Sequence, residues 1–362
     1  MGPKFALITH PYDLAHLRRI LAYYKPGGKL PPDPLLVRVF EWTPSFKLGE
    51  WHGVRSAAGT TVDGLNVTCP ILPDMPRLGP KAIFEKIRQA CELAADLGAG
   101  IAALGGFTSI LGENGRLSAA AGTDIAVTTG NTLTATLAVR GLRRAAQALD
   151  VDLRRATVAV VGATGDIGSA CARALAGQVG RLHLAARGPG RLAALKAELN
   201  GHSDRVQVST DNHQALADAH AVLGVASAST PILEAEDFAP GAIVCDVGYP
   251  KNVASRAASR DDVFVFDGGL AATPCPLDFG FDNGLPSPRV LYGCFAEGVV
   301  LAAEGRFESF SRGKGNIWPE QMSEIGALAD KHGFGLAPFY SGGRPVRHDA
   351  LAALRDRLPR RP

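Results

Sequence analysis

The chain has 362 residues, 46% of them apolar and 20% charged, which suits a folded protein with a sizeable core and excludes a chain dominated by disorder. That length exceeds what a single core supports, so two domains are the default. A net charge of +3 leaves no electrostatic footprint for nucleic acid, and the 42 glycines and 24 prolines show neither period nor low-complexity tract.

In chain order, residues 5–9 read as a strand and 14–24 as a helix, followed by a loop rich in Gly and Pro over 25–34. Residues 37–42 and 62–67 are expected strands. Pro80 opens a helix in which Ile83, Ile87, Cys91 and Ala94 share one face and Gly98 is the stop signal. A short buried strand over 100–104 breaks at Gly105-Gly106. Thr128-Thr129-Gly130-Asn131 then opens a helix running to residue 149, and 150–155 form a polar turn. The first domain, an α/β unit for substrate, is therefore expected over residues 1–150.

The second begins with a dinucleotide fingerprint. Residues 158–161 form the apolar run that a strand covered on both faces requires, and Gly162, Gly165 and Gly168 follow at spacing three and three. A helical pattern occupies 169–176. Ala163, Thr164, Asp166 and Ile167 fill the loop, whose glycines let the backbone turn, approach a pyrophosphate and close strand on helix, with the pyrophosphate on the helix N-terminus. A second strand over 181–186 ends in Arg187, followed by Arg191. An NAD site would usually place an acid there for the ribose hydroxyls, whereas a guanidinium fits a 2′-phosphate, so NADPH is the expected cofactor.

Residues 221–225, 243–246 and 263–266 are further buried strands. They end in Ala226-Ser227-Ala228-Ser229, Gly248-Tyr249-Pro250-Lys251-Asn252 and Asp267-Gly268-Gly269, and ligands bind at such carboxyl ends in a doubly wound sheet. Ala226, Ser227 and Gly248 join the expected nucleotide site, and Lys251 is placed to reach phosphate or substrate. This Rossmann domain is expected over 151–290. Helices over 294–305 and 320–332 follow within residues 291–340, expected to pack across a cleft. Residues 341–362 are a basic tail with Arg344, Arg347, Arg355, Arg357, Arg360 and Arg361.

No apolar stretch reaches the roughly 18 residues of a membrane span, and the first residues lack a signal-peptide core, so a cytoplasmic protein is expected. Six scattered cysteines without a C-x-x-C pair argue against a disulfide scaffold and against a zinc site. Cys294 differs from the other five. It follows Tyr292-Gly293 at a helix start, where N–H groups and the dipole favour a thiolate able to take an acyl group; the alternative is a small buried helix residue. Glu297, one turn on, is placed to assist proton transfer or to complement the dipole. Asn131 is suited to fix a substrate carbonyl or to cap its helix. His10 and His52 are candidates for the first domain's cleft or ordinary hydrogen-bonded histidines.

Five blocks taken in order, residues 103–110, Thr128-Thr129-Gly130-Asn131-Thr132, residues 158–170, residues 248–252 and Cys294-Phe295-Ala296-Glu297, resemble the long-chain acyl-(acyl-carrier-protein) reductases over roughly residues 5–340. The resemblance implies that an acyl group passes from a carrier protein to the cysteine matching Cys294, that NADPH reduces the acyl-enzyme, and that a fatty aldehyde leaves. The chain departs from that pattern at Phe310-Ser311-Arg312-Gly313-Lys314-Gly315-Asn316, at 273–288 and after Tyr340. Acyl length and donor stay open, with acyl-CoA the alternative to acyl-carrier protein. A carbonyl or hydroxy-acid dehydrogenase without a covalent intermediate and a non-catalytic NADPH-binding sensor are the competing functions. The arginine-rich tail is suited to steering an acidic carrier protein or is simply a solvated terminus.

Overall fold

The structure, a computed structural model, describes residues 4–72, 78–106, 108–109, 125–279, 283–311, 313 and 315–357. Phe107 and Ile110 of the first sequence block, Arg312 and Lys314, and Arg360 and Arg361 of the tail lie outside the described residues. Packing divides the chain into two compact units: Met1–Gly130 with Ala271–Lys314 and Ala327–Gly335, and Asn131–Leu270 with Gly315–Gly326 and Leu336–Pro362. The division falls at Gly130/Asn131 where the sequence suggested residue 150. Helix Asn131–Ala148 causes the difference, because Ala135, Ala138, Val139 and Leu142 pack in one core with Val158 and Val160 of the nucleotide strand.

The first unit is built on a five-stranded sheet of order β2-β3-β1-β4-β5, with β1 (Lys4–Thr9), β2 (Phe46–Arg55), β3 (Thr61–Thr68), β4 (Ile101–Leu104) and β5 (Ala126–Thr128). All neighbours are parallel except β2 and β3. Helices α1 (Leu14–Tyr24) and α2 (Asp33–Trp42) share a small core through Leu17, Leu36 and Phe40. The strand expected over 37–42 is thus part of α2. Pro34 sits in its first turn, where the missing N–H costs nothing, and the buried pair Leu36 and Phe40 has helical i, i+4 spacing.

Helix α3 (Pro80–Asp96) buries Ile83, Ile87, Ala90, Cys91 and Ala94 on one face of the sheet against Ala6, Ile8, Leu65, Val67, Ala102 and Leu104. The opposite face carries the later helix Gly293–Ala303, whose Gly298 lies so close to Ala103 that an added Cβ would stand 2.6 Å from the alanine methyl.

The second unit holds six parallel strands in the order β11-β10-β9-β6-β7-β8. They are β6 (Thr157–Val161), β7 (Arg181–Ala185), β8 (Val206–Ser209), β9 (Ala221–Gly224), β10 (Ile243–Asp246) and β11 (Phe264–Asp267). This is the doubly wound order of a Rossmann sheet, with its switch point between β6 and β9. Helix α4 is Asn131–Ala148, α5 Asp166–Leu175, α6 Pro189–Glu198, and α7 (Asn212–Leu216) and α8 (Ser255–Ala258) are short. Helix α9 is Gly293–Ala303 of the first unit, and α10 (Pro319–His332) begins in the second.

The basic tail contains helix α11 (His348–Arg357), and its Leu351 and Leu354 are buried in the core of the second unit. A purely solvated terminus is excluded for these residues. Among the described residues no helix is long and apolar enough to cross a membrane.

Candidate active site

Strand β6 delivers the chain to Gly162, which has φ +87° and is followed by Ala163, whose N–H donates to Ala185 O at 3.0 Å. A Cβ on Gly162 would lie 2.7 Å from the backbone of Ala226, and one on Gly168 would lie 2.2 Å from Gly162 O. Both positions therefore demand glycine, one for the turn and approach of the β9 loop, the other for closing α5 onto β6. Gly165 is the helix N-cap, extended at φ −77°, ψ 174°, with no side chain capping it. The helix consequently starts at Asp166, three residues earlier than the sequence pattern suggested. Ile167 and Gly168 fall in the first turn, whose N–H groups lack intrahelical acceptors and suit a phosphate.

The Asp166 side chain is buried and turned to the fold. Its carboxylate accepts from Asn131 Nδ2 at 2.9 Å and from the Gly315 N–H at 3.2 Å. Asn131, expected to hold a substrate carbonyl or cap α4, ties the start of α4 to the start of α5. Arg187 lies two residues beyond β7 and is exposed, as is Arg191, and no acid stands at that strand end. These residues fit a nicotinamide dinucleotide carrying a 2′-phosphate.

The β9 loop is clamped by a residue the sequence did not single out. Fully buried Asn252 accepts the Ala226 N–H at 2.8 Å and donates to Ala226 O at 2.9 Å. Gly248 is buried beneath it, since a Cβ there would meet Asn252 Nδ2 at 2.5 Å, so its function is to make room for the clamp. Ser227 is exposed beside the clamped residue. Buried Asp246 fixes the same turn, accepting from the N–H groups of Gly248, Asn252 and Val253 at 3.1, 3.2 and 3.0 Å. Burial raises its pKa, opposed by Lys251 and by those three N–H groups. An acid closing the buried strand Ile-Val-Cys-Asp was the signal that could have found it.

Lys251 is held within the fold, its ammonium 2.9 Å from Asp267 Oδ1 and 4.2 Å from the centre of the Tyr249 ring. Burial works against its charge, yet Tyr249, Asp267 and Asp246 keep its pKa above the usual lysine value.

In the first unit, Tyr292 is the N-cap of α9, which places Cys294 second in the helix. The thiol is half-buried, and the backbone N–H groups of Gly106, Phe295 and Cys294 itself favour its thiolate. Desolvation nevertheless dominates and pushes the Cys294 thiol up to about 12, with the Glu297 charge adding to the rise. The thiolate stabilisation expected from the helix start is therefore outweighed by burial in this state. Two glycines locate the cysteine. Gly130, at φ +66°, abuts its backbone so closely that a Cβ would lie 2.1 Å from Cys294 O and 2.2 Å from its Cα. Gly105 leaves space for the Phe295 ring, which a Cβ would meet at 2.1 Å.

Glu297 is wholly buried and stands fifth in α9, outside the first turn. Dipole complementarity is thus not its role. Its Oε1 accepts hydrogen bonds from Thr128 Oγ1 and, at 2.7 Å, from Ser311 Oγ. His10 is buried with Nδ1 2.8 Å from the Pro11 carbonyl, which as an acceptor fixes the proton on Nδ1. Burial lowers its pKa to about 4, so it is neutral at pH 7. Its Nε2 packs on Gly106, where a Cβ would stand 2.8 Å away. His52 is exposed on β2, 3.3 Å from Glu50. Four cysteines are buried and Cys275 is half-buried, and among the described residues no cluster of metal-ligating side chains occurs.

The chain is similar to several known proteins. The family model for shikimate/quinate 5-dehydrogenase matches residues 143–267, the stretch from α4 to β11. Quinate dehydrogenase from Corynebacterium glutamicum, solved in complex with NAD, is 14% identical, covering 73% of this chain and 87% of its own, at a TM-score of 0.36. An aminotransferase, PigE, from a Serratia species is 30% identical over 83% of this chain, which spans 36% of that longer protein. The long-chain acyl-[acyl-carrier-protein] reductase of Synechococcus elongatus is 35% identical over 294 residues, 78% of this chain and 84% of the relative. With that identity running across both units, the chain belongs to the long-chain acyl-[acyl-carrier-protein] reductase family.

Proposed function

We propose that this protein is an NADPH-dependent reductase that takes an acyl group from a thioester onto Cys294 and releases it as an aldehyde. The observation that carries the reading is the placement of Cys294 in the first turn of α9, with the backbone N–H groups of Gly106, Phe295 and Cys294 favouring its thiolate and a glycine on either side shaped to its helix. Attack by the Cys294 sulfur on the thioester carbonyl breaks the bond to the donor, whose thiol leaves with the cysteine's proton. When bound, the dinucleotide would supply the hydride that turns the Cys294 thioester into the oxyanion of a thiohemiacetal. Collapse of that species, with one proton taken up, returns the free thiol and the aldehyde.

The residues divide the remaining work. Backbone N–H groups of the Gly106 and Phe295 type stabilise a sulfur anion as it forms, which offsets the burial that keeps the thiol protonated at rest. In the second unit, Gly162, Ala163, Thr164, Gly165, Ile167 and Gly168 hold the pyrophosphate. Arg187 holds the 2′-phosphate, and Ala226 and Ser227, fixed by Asn252, wall the site. Asp166 and Asn131 hold α4 and α5 in register. An acyl-carrier protein is the donor named by the family, and acyl-CoA offers the same thioester.

Intact-mass spectrometry of the protein incubated with an acyl thioester and no NADPH tests the proposal. An acyl adduct that maps to Cys294 and disappears on addition of NADPH is expected. Aldehyde formation by a Cys294→Ala variant overturns the covalent route in favour of direct hydride transfer.

A further inference from the structure

We propose that Glu297 is a positioning residue for Cys294: its buried carboxylate holds Thr128 and Ser311, and through them the Gly130 backbone against the cysteine, and it exchanges no proton in the reaction. The inference rests on the proposed role of Cys294.

Thr128 is the hub of the network. Thr128 Oγ1 donates to Glu297 and accepts the N–H of Gly130 at 3.3 Å and that of Ser311 at 3.2 Å. Ser311 Oγ donates to the same carboxylate oxygen, and Ser311 O accepts the Thr129 N–H at 3.3 Å. One carboxylate thus fixes the end of β5, the turn Thr128-Thr129-Gly130 and the segment around Ser311. Gly130 then transmits that order, because its backbone is in contact with Cys294 Cα, C and O with no room for a Cβ.

A fully buried carboxyl whose oxygen already receives two hydroxyl hydrogen bonds is poorly placed to meet a reacting group. Both bonds ask Glu297 only to accept. A glutamine carbonyl accepts equally well, whereas it neither takes nor delivers a proton, and that difference makes the inference testable.

The experiment uses the full chain as Glu297→Gln, Glu297→Ala, Thr128→Val and Ser311→Ala. NADPH affinity by fluorescence titration reports that the second unit remains folded. Hydrogen exchange at the Gly130 and Ser311 amides reads the network without any acyl substrate, and steady-state kinetics with an acyl thioester read its consequence. Glu297→Gln should keep amide protection and kcat close to wild type. Glu297→Ala and Thr128→Val should lose protection of both amides and lower kcat by roughly tenfold to a hundredfold, the effect of displacing a reacting group by about 1 Å, with KM nearly unchanged.

Should Glu297→Ala fail to fold, Thr128→Val and Ser311→Ala carry the test, each removing one hydroxyl from the carboxylate. A Glu297→Gln enzyme as slow as Glu297→Ala, with intact amide protection, overturns the inference in favour of proton transfer. Unchanged protection and kcat in Glu297→Ala overturn it too. If amide protection follows the expected order but no acyl thioester yields aldehyde, the positioning holds and the proposed reaction fails.

Discussion

Gly130→Ala is the smallest change that should disable Cys294 without touching it. The new methyl would stand 2.1 Å from Cys294 O and 2.2 Å from its Cα, where ordinary contact begins at 3.4 Å, so backbone must separate by about 1.3 Å. Neither contact atom belongs to a side chain that can swing away. The residue must also keep φ +66°, a left-handed conformation costing alanine roughly 1–2 kcal/mol, and overpacking adds roughly 1–3 kcal/mol. A displacement of this size at a nucleophile lowers the rate of acyl transfer by roughly a hundredfold. The time course of acyl loading by intact mass, beside a thermal melt and an NADPH titration, measures both effects. Loading within threefold of wild type at an unchanged melting temperature would refute the claim that Gly130 sets the position of the cysteine.

Four further outcomes follow from the same structure. Arg187→Ala should weaken NADPH by roughly 1.5–3 kcal/mol, the worth of a hydrogen bond to a charged group, and leave NADH nearly unchanged; a wild-type preference for NADH in parallel titrations defeats it. Because burial pushes the Cys294 thiol up to about 12, its alkylation by iodoacetamide should climb about tenfold per pH unit from pH 7 to 10, and a plateau below pH 9 contradicts this. Thr68 Oγ1 is buried without a partner among the described residues, so Thr68→Val should be neutral or stabilising by up to about 1 kcal/mol in urea unfolding, and a clear loss of stability counts against it. Leu354→Ala should cost roughly 2–5 kcal/mol, since the tail helix contributes core, and an unchanged denaturation midpoint would mean that the helix is undocked.

The nucleotide half was legible because its constraints are local. A strand covered on both faces must be apolar throughout, and a backbone that turns beneath a phosphate must be glycine, so residues 157–168 carry their structure in their own composition. Strand β2 was not legible. It is an edge strand in which only Val54 is fully buried, and Lys-Leu-Gly-Glu-Trp-His-Gly-Val-Arg has no alternation, whereas Val-Arg-Val-Phe-Glu-Trp in α2 happens to alternate. The hydrogen-bond partners of Glu297 were not legible for a different reason. Its partner Thr128 lies 169 residues away, and no spacing rule reaches that far. In the tail, six arginines masked the pair Leu351 and Leu354, whose helical spacing was the better guide.

Each compact unit is assembled from three separate stretches, so the chain passes from one to the other five times. This sets an order on biosynthesis. The sheet of the first unit is complete at Thr128, but α9, which covers one of its faces, ends only at Ala303. At bacterial or eukaryotic elongation rates that face waits roughly 9–35 s for its helix on the ribosome. The nascent sheet is then a target for chaperones and for aggregation. A fragment cut at residue 270 would keep the nucleotide fingerprint and lose α9, α10 and α11 together, leaving both units with an exposed apolar face.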